Sequence, residues 1–280
     1  MVVAMDGATI KEKLVRTVAP AHLIVLGVYQ FILTIIDTVI VQHEPGLLLQ
    51  LSKLRGRAFS RFWMAYGESM SEVMADDAVA LMRSLRGTVL DLGPGTGEQL
   101  VRLTPSHLTR VYGAEPAEQF HGRLRANAKK AGLEDKYKVL HAGAQPESLI
   151  PALADAGLFQ NGSEGIFDEI CCIRVLCGVP RPEETIKGLY KLLKPGGRMV
   201  VHEHVVNPWR ETGGSFVSRV LQTVYAWAGW HLFLGCNIDR DTRAMLLDAG
   251  GKGGWSEVEL KGLETWSVLP YCTGYLVKSG

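Results

Sequence analysis

The sequence predicts an α/β protein with a doubly wound, seven-stranded sheet, and three observations lead to this fold class. From Gly87 onward, short apolar runs alternate with segments of helical pattern. The first apolar run leads directly into a glycine turn, and the last two runs can pair as antiparallel neighbours. Strands that alternate with helices are typical of a parallel sheet covered on both faces. We therefore expect a ligand crevice at the carboxyl ends of the strands.

The strands and helices follow one another in a regular order. The predicted strands are residues 88–92, 110–114, 137–141, 167–173, 198–202, 256–261 and 271–278. The predicted helices between them are residues 116–131, 144–158, 182–193 and 239–249, with proline or aspartate at several starts and glycine after several ends. Lys194-Pro195-Gly196-Gly197 is predicted as the turn that precedes strand five.

Two parts of the chain lie outside this alternation. Residues 1–80 read as an N-terminal hydrophobic helix followed by a helical cap, and an amphipathic helix is predicted over residues 69–85 at its end. The domain predicted to carry the site is residues 81–280, and a helical lid insertion occupies about residues 205–238 within it. The insertion is rich in aromatic residues, which can cover an acceptor, pack on the sheet or contact lipid.

Composition excludes several classes of function. The net charge of +1 over 280 residues gives no basic excess, so we expect no nucleic-acid partner. The five cysteines show no zinc spacing, and we expect no metal. Cys171 and Cys172 fall in an apolar strand, which indicates buried thiols in a reducing, cytoplasmic compartment.

The segment from residue 18 to residue 41 is unusually apolar for an enzyme of this kind. It is broken by few polar residues, and Gln30, Thr34, Asp37 and Thr38 recur at helical spacing. This pattern favours a helix lying in a membrane interface or docked on another surface. A buried cap helix and a signal peptide are the alternatives. A spanning helix would place the catalytic domain in the lumen, so we prefer association with the cytosolic face of an internal membrane.

The glycine turn after strand one carries the most chemical information. It reads Asp91-Leu92-Gly93-Pro94-Gly95-Thr96-Gly97. Glycines at alternate positions let the backbone approach a ligand closely. A dinucleotide fingerprint would place a glycine at position 98, where this chain has Glu98. A carboxylate there disfavours a pyrophosphate and suits a cationic ligand.

This turn resembles motif I of class I S-adenosylmethionine-dependent methyltransferases, which have a Rossmann-like sheet. The turn at residues 194–197 is similar to a turn that follows a helix in the same superfamily. The resemblance implies S-adenosyl-L-methionine as cofactor, held by Asp91, Gly93, Gly95 and Gly97. Glu115, which ends strand two, would accept hydrogen bonds from the ribose. Gln145 would contact the adenine, although many members have Asp there, and an N-cap or surface role is the alternative.

Two further stretches at strand ends lie where the reacting groups are expected. Arg174, after strand four, either faces the carboxylate of the cofactor or turns outward. His202-Glu203-His204 ends strand five, and alternation places the two histidines on the face opposite Glu203. A histidine can remove a proton near neutral pH, so His204, His231 and His202 are the candidate catalytic residues. Structural histidines are the alternative.

Short motifs in the second half of the chain suggest a narrower resemblance. Val175-Leu176-Cys177, Glu203-His204-Val205 and residues 230–237 look like membrane-associated alkyl thiol methyltransferases, and fungal natural-product tailoring methyltransferases share this type. The resemblance implies methylation of a small organic thiol, amine or hydroxyl in secondary metabolism or detoxification. The alternative is an inactive scaffold or a membrane-recruited partner subunit that keeps the fold.

Overall fold

The computed structural model of this chain describes residues 9–158 and 165–280. The described chain divides into two compact units. We call Trp63–Glu203, Thr242–Lys261 and Thr273–Gly280 the sheet unit. The chain up to Phe62, together with His204–Asp241 and Gly262–Cys272, is the helical unit. Residues 63–80, which the sequence assigned to the N-terminal cap, thus belong to the sheet unit.

The sheet has seven strands in the order β3-β2-β1-β4-β5-β7-β6, which confirms the predicted fold class. The strands are β1 (Gly87–Leu92), β2 (Leu108–Ala114), β3 (Tyr137–Leu140), β4 (Phe167–Ile173), β5 (Leu193–His204), β6 (Trp255–Leu263) and β7 (Tyr271–Lys278). Strands β1 to β5 pair in parallel. Ser256 Oγ contacts Val277, and Glu259 abuts Gly274, so β6 and β7 run in opposite directions.

Helices lie between the strands as the alternation predicts. Those of the sheet unit are α3 (Asp76–Arg83), α4 (His121–Lys130), α5 (Pro146–Asp155), α6 (Pro182–Leu192) and α9 (Thr242–Asp248). Each face of the sheet has its own buried cluster: Leu90 and Leu92 belong to one, and Val89 to the other. Successive side chains of a strand point to opposite faces, so both faces of β1 are covered. The point where strand order reverses, between β1 and β4, is the expected ligand crevice.

Three predicted elements differ from the structure by more than a shift of a few residues at their ends. Helix α2 (Leu51–Glu72) ends before α3 begins at Asp76, so residues 69–85 are not one helix; Ala75 is extended as the N-cap of α3. The helix predicted from residue 116 starts with a 3₁₀ turn, Glu118–Phe120, before α4. The predicted turn at residues 194–197 lies within β5, where Gly196 has φ of +73° and the register with β4 shifts. Glycine tolerates this left-handed conformation, which lets the strand begin early with an irregularity.

The helical unit is built on the long first helix, α1 (Ile10–Ile36). A capping box between Thr9 and Glu12 starts α1, and a π-helical turn, Asp37–Val41, continues it. The insertion contributes α7 (Phe216–Trp227) and α8 (Trp230–Leu234). Within the described residues, the stretch Lys11–Val41 is one helix whose length and apolar composition would suffice to cross a membrane.

Candidate functional site

The glycine turn after β1 is a loop whose backbone only glycine accommodates without strain. Gly93, Gly95 and Gly97 have φ values of +60°, +59° and +83°. A Cβ at Gly93 would lie 2.5 Å from Val175 Cγ2, and a Cβ at Gly95 would lie 2.7 Å from Trp63 Nε1. Side chains at these two positions would therefore combine backbone strain with steric overlap.

Thr96, at the centre of this loop, is fully buried and held from three directions. Its hydroxyl accepts a hydrogen bond from Trp63 Nε1 at 3.1 Å and donates one to Glu98 at 2.5 Å. Asn127 Nδ2, from α4, donates to the carbonyl of Thr96 at 2.8 Å. The loop is thus preorganised by side chains of the sheet unit, which reduces the ordering required when a ligand binds.

Glu115, at the end of β2, is tied to the same loop. One carboxylate oxygen accepts the N–H of Gly95 at 2.9 Å, and the other accepts the N–H of Ala117 at 2.9 Å. Each oxygen keeps a second lone pair that can accept a ligand hydroxyl. Burial raises the pKa of Glu115, while the two backbone hydrogen bonds oppose that rise. The residue predicted to hold the ribose therefore also fixes the loop.

Asp91, the next-to-last residue of β1, is bound by a tyrosine from a strand two positions away in the sheet. Tyr137, from β3, donates its hydroxyl to Asp91 at 2.8 Å. The tyrosine crosses β2 at Gly113, where a Cβ would lie 2.1 Å from the tyrosine oxygen. Burial raises the pKa of Asp91 to about 6, and the tyrosine hydrogen bond partly opposes that rise. An acid held in this way is stabilised as a carboxylate by a nearby cation.

The loop after β4 is held by a buried carboxylate from the next strand. Glu203 is fully buried and accepts the N–H groups of Val175, Leu176 and Cys177 at 2.8, 3.0 and 3.3 Å. Val175 in turn packs against Gly93 in the glycine loop. Glu203 thus fixes one loop of the crevice and, through Val175, supports the other.

The two remaining cofactor candidates lie at strand ends. Arg174, whose φ of +55° is unusual for a side chain with a Cβ, donates to the carbonyl of Met70 at 3.0 Å. The carbonyl of Met70 is near the end of α2. Gln145 is the N-cap residue of α5 but forms no capping hydrogen bond, and its side chain folds over Gly143. Contacts of Arg174 and Gln145 with a cofactor stay predictions.

The three histidine candidates have different surroundings. His202 is buried in the sheet unit, and its Nδ1 lies 2.7 Å from the hydroxyl of Thr273. His204, in the helical unit, has Nδ1 at 3.6 Å from Cys236 Sγ and its ring against Tyr271. The side chain of His231 is exposed. His204 and His231 are thus the candidates that lie outside the sheet core, and their catalytic roles stay predictions.

A cavity of about 340 Å³ lies within the helical unit. Its lining includes His231 together with Cys236, the neighbour of His204. The other lining residues are Thr223, Ala226, Trp227, Asn237, Ile238 and Asp239. Both histidine candidates of the helical unit are therefore linked through Cys236 to one cavity of mixed polar and aromatic character.

The residues around the glycine loop fit S-adenosylmethionine. Two acids, Asp91 and Glu115, end adjacent strands, and burial raises the pKa of both. Such buried acids suit a ligand that brings positive charge and hydroxyl groups, as the sulfonium, ammonium and ribose of this cofactor do. Glu98 at the start of the next turn disfavours a pyrophosphate. Fold and loop together define a class I S-adenosylmethionine-dependent methyltransferase.

Comparison with known proteins agrees with this class. Residues 66–234 match the methyltransferase domain family, and the chain belongs to that family. Human thiol S-methyltransferase TMT1A is 26% identical over 228 residues, which cover 78% of this chain and 83% of the relative. Human thiol S-methyltransferase TMT1B is 27% identical over 195 residues, which cover 68% and 70%.

A solved structure shows the same fold at low identity. A possible exported protein from Bordetella parapertussis superposes with a TM-score of 0.53 at 15% identity, and the match covers 93% of this chain and 96% of that one. Because the chain belongs to the methyltransferase domain family, this protein is a methyltransferase and S-adenosylmethionine is its cofactor.

Sequence reasoning did not find several residues that hold the site. Trp63, Asn127 and Tyr137 all contact the loop or its acid, yet each comes from an element distant in sequence. Gly113 in the middle of β2 was the one local signal, because glycine inside a strand often marks the close approach of another group. The role of Glu203 was hidden because its partners are backbone groups, which carry no sequence signature.

Proposed function

We propose that this protein transfers the methyl group of S-adenosylmethionine to the sulfur of a small, apolar thiol at a membrane surface. The observation that carries the thiol assignment is the similarity to thiol S-methyltransferase TMT1A over most of both chains. The short motifs around residues 175–177, 203–205 and 230–237 support it. Secondary metabolism or detoxification is the setting we propose for such an acceptor.

S-adenosylmethionine supplies an electrophilic methyl group when it is bound. The chain's own contribution is to hold, orient and shield: Glu115 and the glycine loop hold the ribose end, and Asp91 offers a carboxylate for positive charge. Glu203 fixes the loop after β4 that flanks the crevice. Alignment of two bound reactants and exclusion of water supply most of the rate advantage in such a transfer.

A thiol also suits the modest bases that the chain offers. Thiols ionise near pH 8.5, so a neutral imidazole can remove the proton without a strongly shifted pKa. We propose His204 as the general base, with His231 as the second candidate. His204 already lies 3.6 Å from a thiol sulfur, that of Cys236, which supports the view that its ring can face sulfur. A phenol or alcohol would demand a stronger base.

We further propose that residues 18–41 associate with the cytosolic face of an internal membrane. Large apolar residues of α1 are about half exposed. Among them, Val25, Ile32 and Ile36 have exposed fractions of 64, 50 and 45%. Exposed apolar surface of this extent is unusual for a helix in contact with water only. An apolar thiol concentrates in the same phase, which brings enzyme and acceptor together.

The acceptor atom can be identified directly. The full-length protein is incubated with deuterated-methyl S-adenosylmethionine and a thiol, an amine and a phenol with the same apolar body. Mass spectrometry of the products should show the labelled methyl group on sulfur, with far less on nitrogen or oxygen. Labelled N- or O-methyl product without labelled thioether would contradict the thiol assignment. Glu115→Ala serves as the control that should lower the yield of product when the cofactor is kept below saturation.

A further inference from the structure

Helix α7 presents an apolar face outward from the helical unit. Its exposed residues recur every three or four positions, so they lie along one side of the helix. They are Phe216, Val217, Val220, Val224 and Trp227, with exposed fractions of 62, 67, 45, 51 and 89%. Trp227 is thus almost fully exposed at the end of the helix, where a large aromatic ring in contact with water is unfavourable.

The opposite side of α7 is the side that packs on the protein. Gln222 is fully buried and donates to the carbonyls of Val205 and Ile238 at 3.0 and 2.8 Å. Ser218 donates to the carbonyl of Trp266 at 2.6 Å. Ser218 and Gln222 are therefore fixed inward, and the five large apolar residues face outward, with the exposed Thr223 among them, where it accepts a hydrogen bond from Arg219. This inverted arrangement indicates that α7 contacts an apolar medium on its outer side.

Helix α1 is inverted in the same way. Its buried stripe is Pro20, Gly27, Gln30, Thr34 and, in the π-helical turn, Thr38. Its exposed stripe is Leu14, Val18, Val25, Tyr29, Ile32, Ile36 and Ile40. Arg61 donates to Gln30 at 3.2 Å within the helical unit, so Gln30, Thr34 and Thr38 of the predicted polar stripe lie on the packing face, whereas Asp37 is only half-buried.

Contacts within the helical unit keep α1 beside α7 and α8. Tyr225 of α7 donates its hydroxyl to the carbonyl of Thr17 at 3.1 Å. Farther along α1, Phe31 meets Phe233 of α8 edge to face, with ring centroids 5.6 Å apart. A helix fixed along its length to a folded unit cannot cross a bilayer alone, because the unit would have to follow it. Both apolar stripes therefore suit a protein that lies on a membrane.

The charges around the two stripes favour an anionic lipid surface. Lys11, Lys13 and Arg16 occupy the first turns of α1, where Glu12 caps the helix and Arg16 pairs with Glu264 at 2.7 Å, so Lys11 and Lys13 are the cations there without an ion pair to an acid in the described part of the chain. Helix α7 contains Arg219 and no acid, and Arg210 stacks on Trp209 just before it. Cations and tryptophans that flank an apolar face are typical of helices at a lipid headgroup boundary.

We propose that the outer faces of α1 and α7 together form one lipid-contacting surface, with α7 as a second membrane element besides residues 18–41. The proposal rests on the membrane part of the proposed function and does not depend on the acceptor atom. The occupant is a fluid bilayer that contains anionic phospholipid. A second copy of this chain is the rival occupant of the same apolar faces.

Vesicle binding tests the contribution of α7. The full-length protein is mixed with vesicles of phosphatidylcholine and phosphatidylserine, and bound protein is separated by flotation. The double variant V220E/V224E should partition at least about tenfold more weakly, because two carboxylates must then enter the apolar boundary. The matched control is V258E, which changes a valine of 42% exposure on β6 in the sheet unit and should bind like wild type. Equal partitioning of all three proteins would overturn the proposal.

A second measurement needs no charged substitution and so does not depend on the stability of that variant. Bromine-labelled lipids quench tryptophans that reach the acyl region, and the quenched signal should fall in W227F relative to wild type. Unchanged quenching in W227F would overturn the proposal. A wild-type protein that does not bind vesicles and forms dimers as its concentration rises would also overturn it. Methylation of a water-soluble thiol without vesicles tests the proposed chemistry separately.

Discussion

The carboxylate of Glu203 accepts the backbone N–H of Val175 at 2.8 Å, and Val175 packs on Gly93 of the glycine loop. The same carboxylate accepts the N–H groups of the next two residues. A single buried side chain thus satisfies three backbone donors at the end of β4 that would otherwise be left without partners. This relationship makes Glu203 a positioning residue for the proposed cofactor site.

Glu203→Gln should weaken both the fold and cofactor binding. The amide keeps one acceptor oxygen and turns an NH₂ group toward backbone donors, so we expect a loss of about 2–4 kcal/mol in the free energy of unfolding. The loop should also loosen around Gly93, which should lower the affinity for S-adenosylmethionine. Urea unfolding and calorimetric titration measure the two effects.

The exposed Glu259 on β6 provides the control for this substitution. Glu259→Gln should change neither quantity by more than about 0.5 kcal/mol, as is usual for surface positions. A Glu203→Gln protein with the stability and cofactor affinity of wild type would show that the loop after β4 holds its shape without this carboxylate.

Asp91 should make the ligand-free protein less stable as pH rises. Burial raises its pKa from 3.8 to about 6, so the folded state binds a proton that the unfolded state has already released above pH 4. The stabilisation that this proton gives is present below pH 4 and is lost as pH rises through 6, by about 3 kcal/mol at most. Asp91→Asn should flatten this decline, and Tyr137→Phe should move it to higher pH.

Cofactor binding should follow the opposite trend, because a cationic ligand favours the ionised form of Asp91. The affinity of wild type for S-adenosylmethionine should increase between pH 5 and pH 7.5, and that of Asp91→Asn should change less. Denaturation and calorimetry across this range give both profiles. Parallel pH profiles for wild type and Asp91→Asn would rule out the role assigned to this carboxylate.

Gly95→Ala should reduce cofactor affinity more than stability. The backbone at Gly95 is left-handed, which costs an alanine about 1–2 kcal/mol, and the new methyl group would press on Trp63 in the loop. Gly157→Ala is the matched control, because Gly157 has φ of +82° and open space around its Cβ position. Both variants should lose similar backbone stability, but the control should bind the cofactor normally. If Gly95→Ala and Gly157→Ala bound S-adenosylmethionine with equal affinity, the assignment of the glycine loop to the cofactor site would be contradicted.

Much of the sheet and of the loop could be predicted because local signals determine them. Strand β4 and helix α6 follow from short apolar runs and a proline start, and the glycine spacing after β1 identifies the loop. The break between α2 and α3 lacked such a signal, since Val73 and the residues around it are compatible with a helix. Tertiary contacts decide that boundary, as they often override local propensity.

The polar stripe of α1 shows a different limit of sequence reasoning. Periodicity placed Gln30, Thr34, Asp37 and Thr38 on one face, and all but the half-buried Asp37 are buried, but periodicity could not tell which face points inward. The usual assumption that apolar residues are buried fails for a helix that meets an apolar medium. Similarly, the sequence pattern places His202 and His204 on one face of β5 but does not show their partners. In the structure, His202 lies beside the hydroxyl of Thr273, and His204 lies beside the thiol of Cys236.

The central claim is that the glycine loop and Glu115 hold S-adenosylmethionine, and calorimetric titration of wild type, Glu115→Ala and Glu118→Ala tests it most directly. Glu118 is an exposed acid three residues farther along. Loss of Glu115 removes the acceptor of the Gly95 N–H and of ligand hydroxyls, so affinity should fall by about 1–3 kcal/mol, whereas Glu118→Ala should match wild type. Equal affinities for all three proteins, or no binding by wild type, would contradict the assignment of this site.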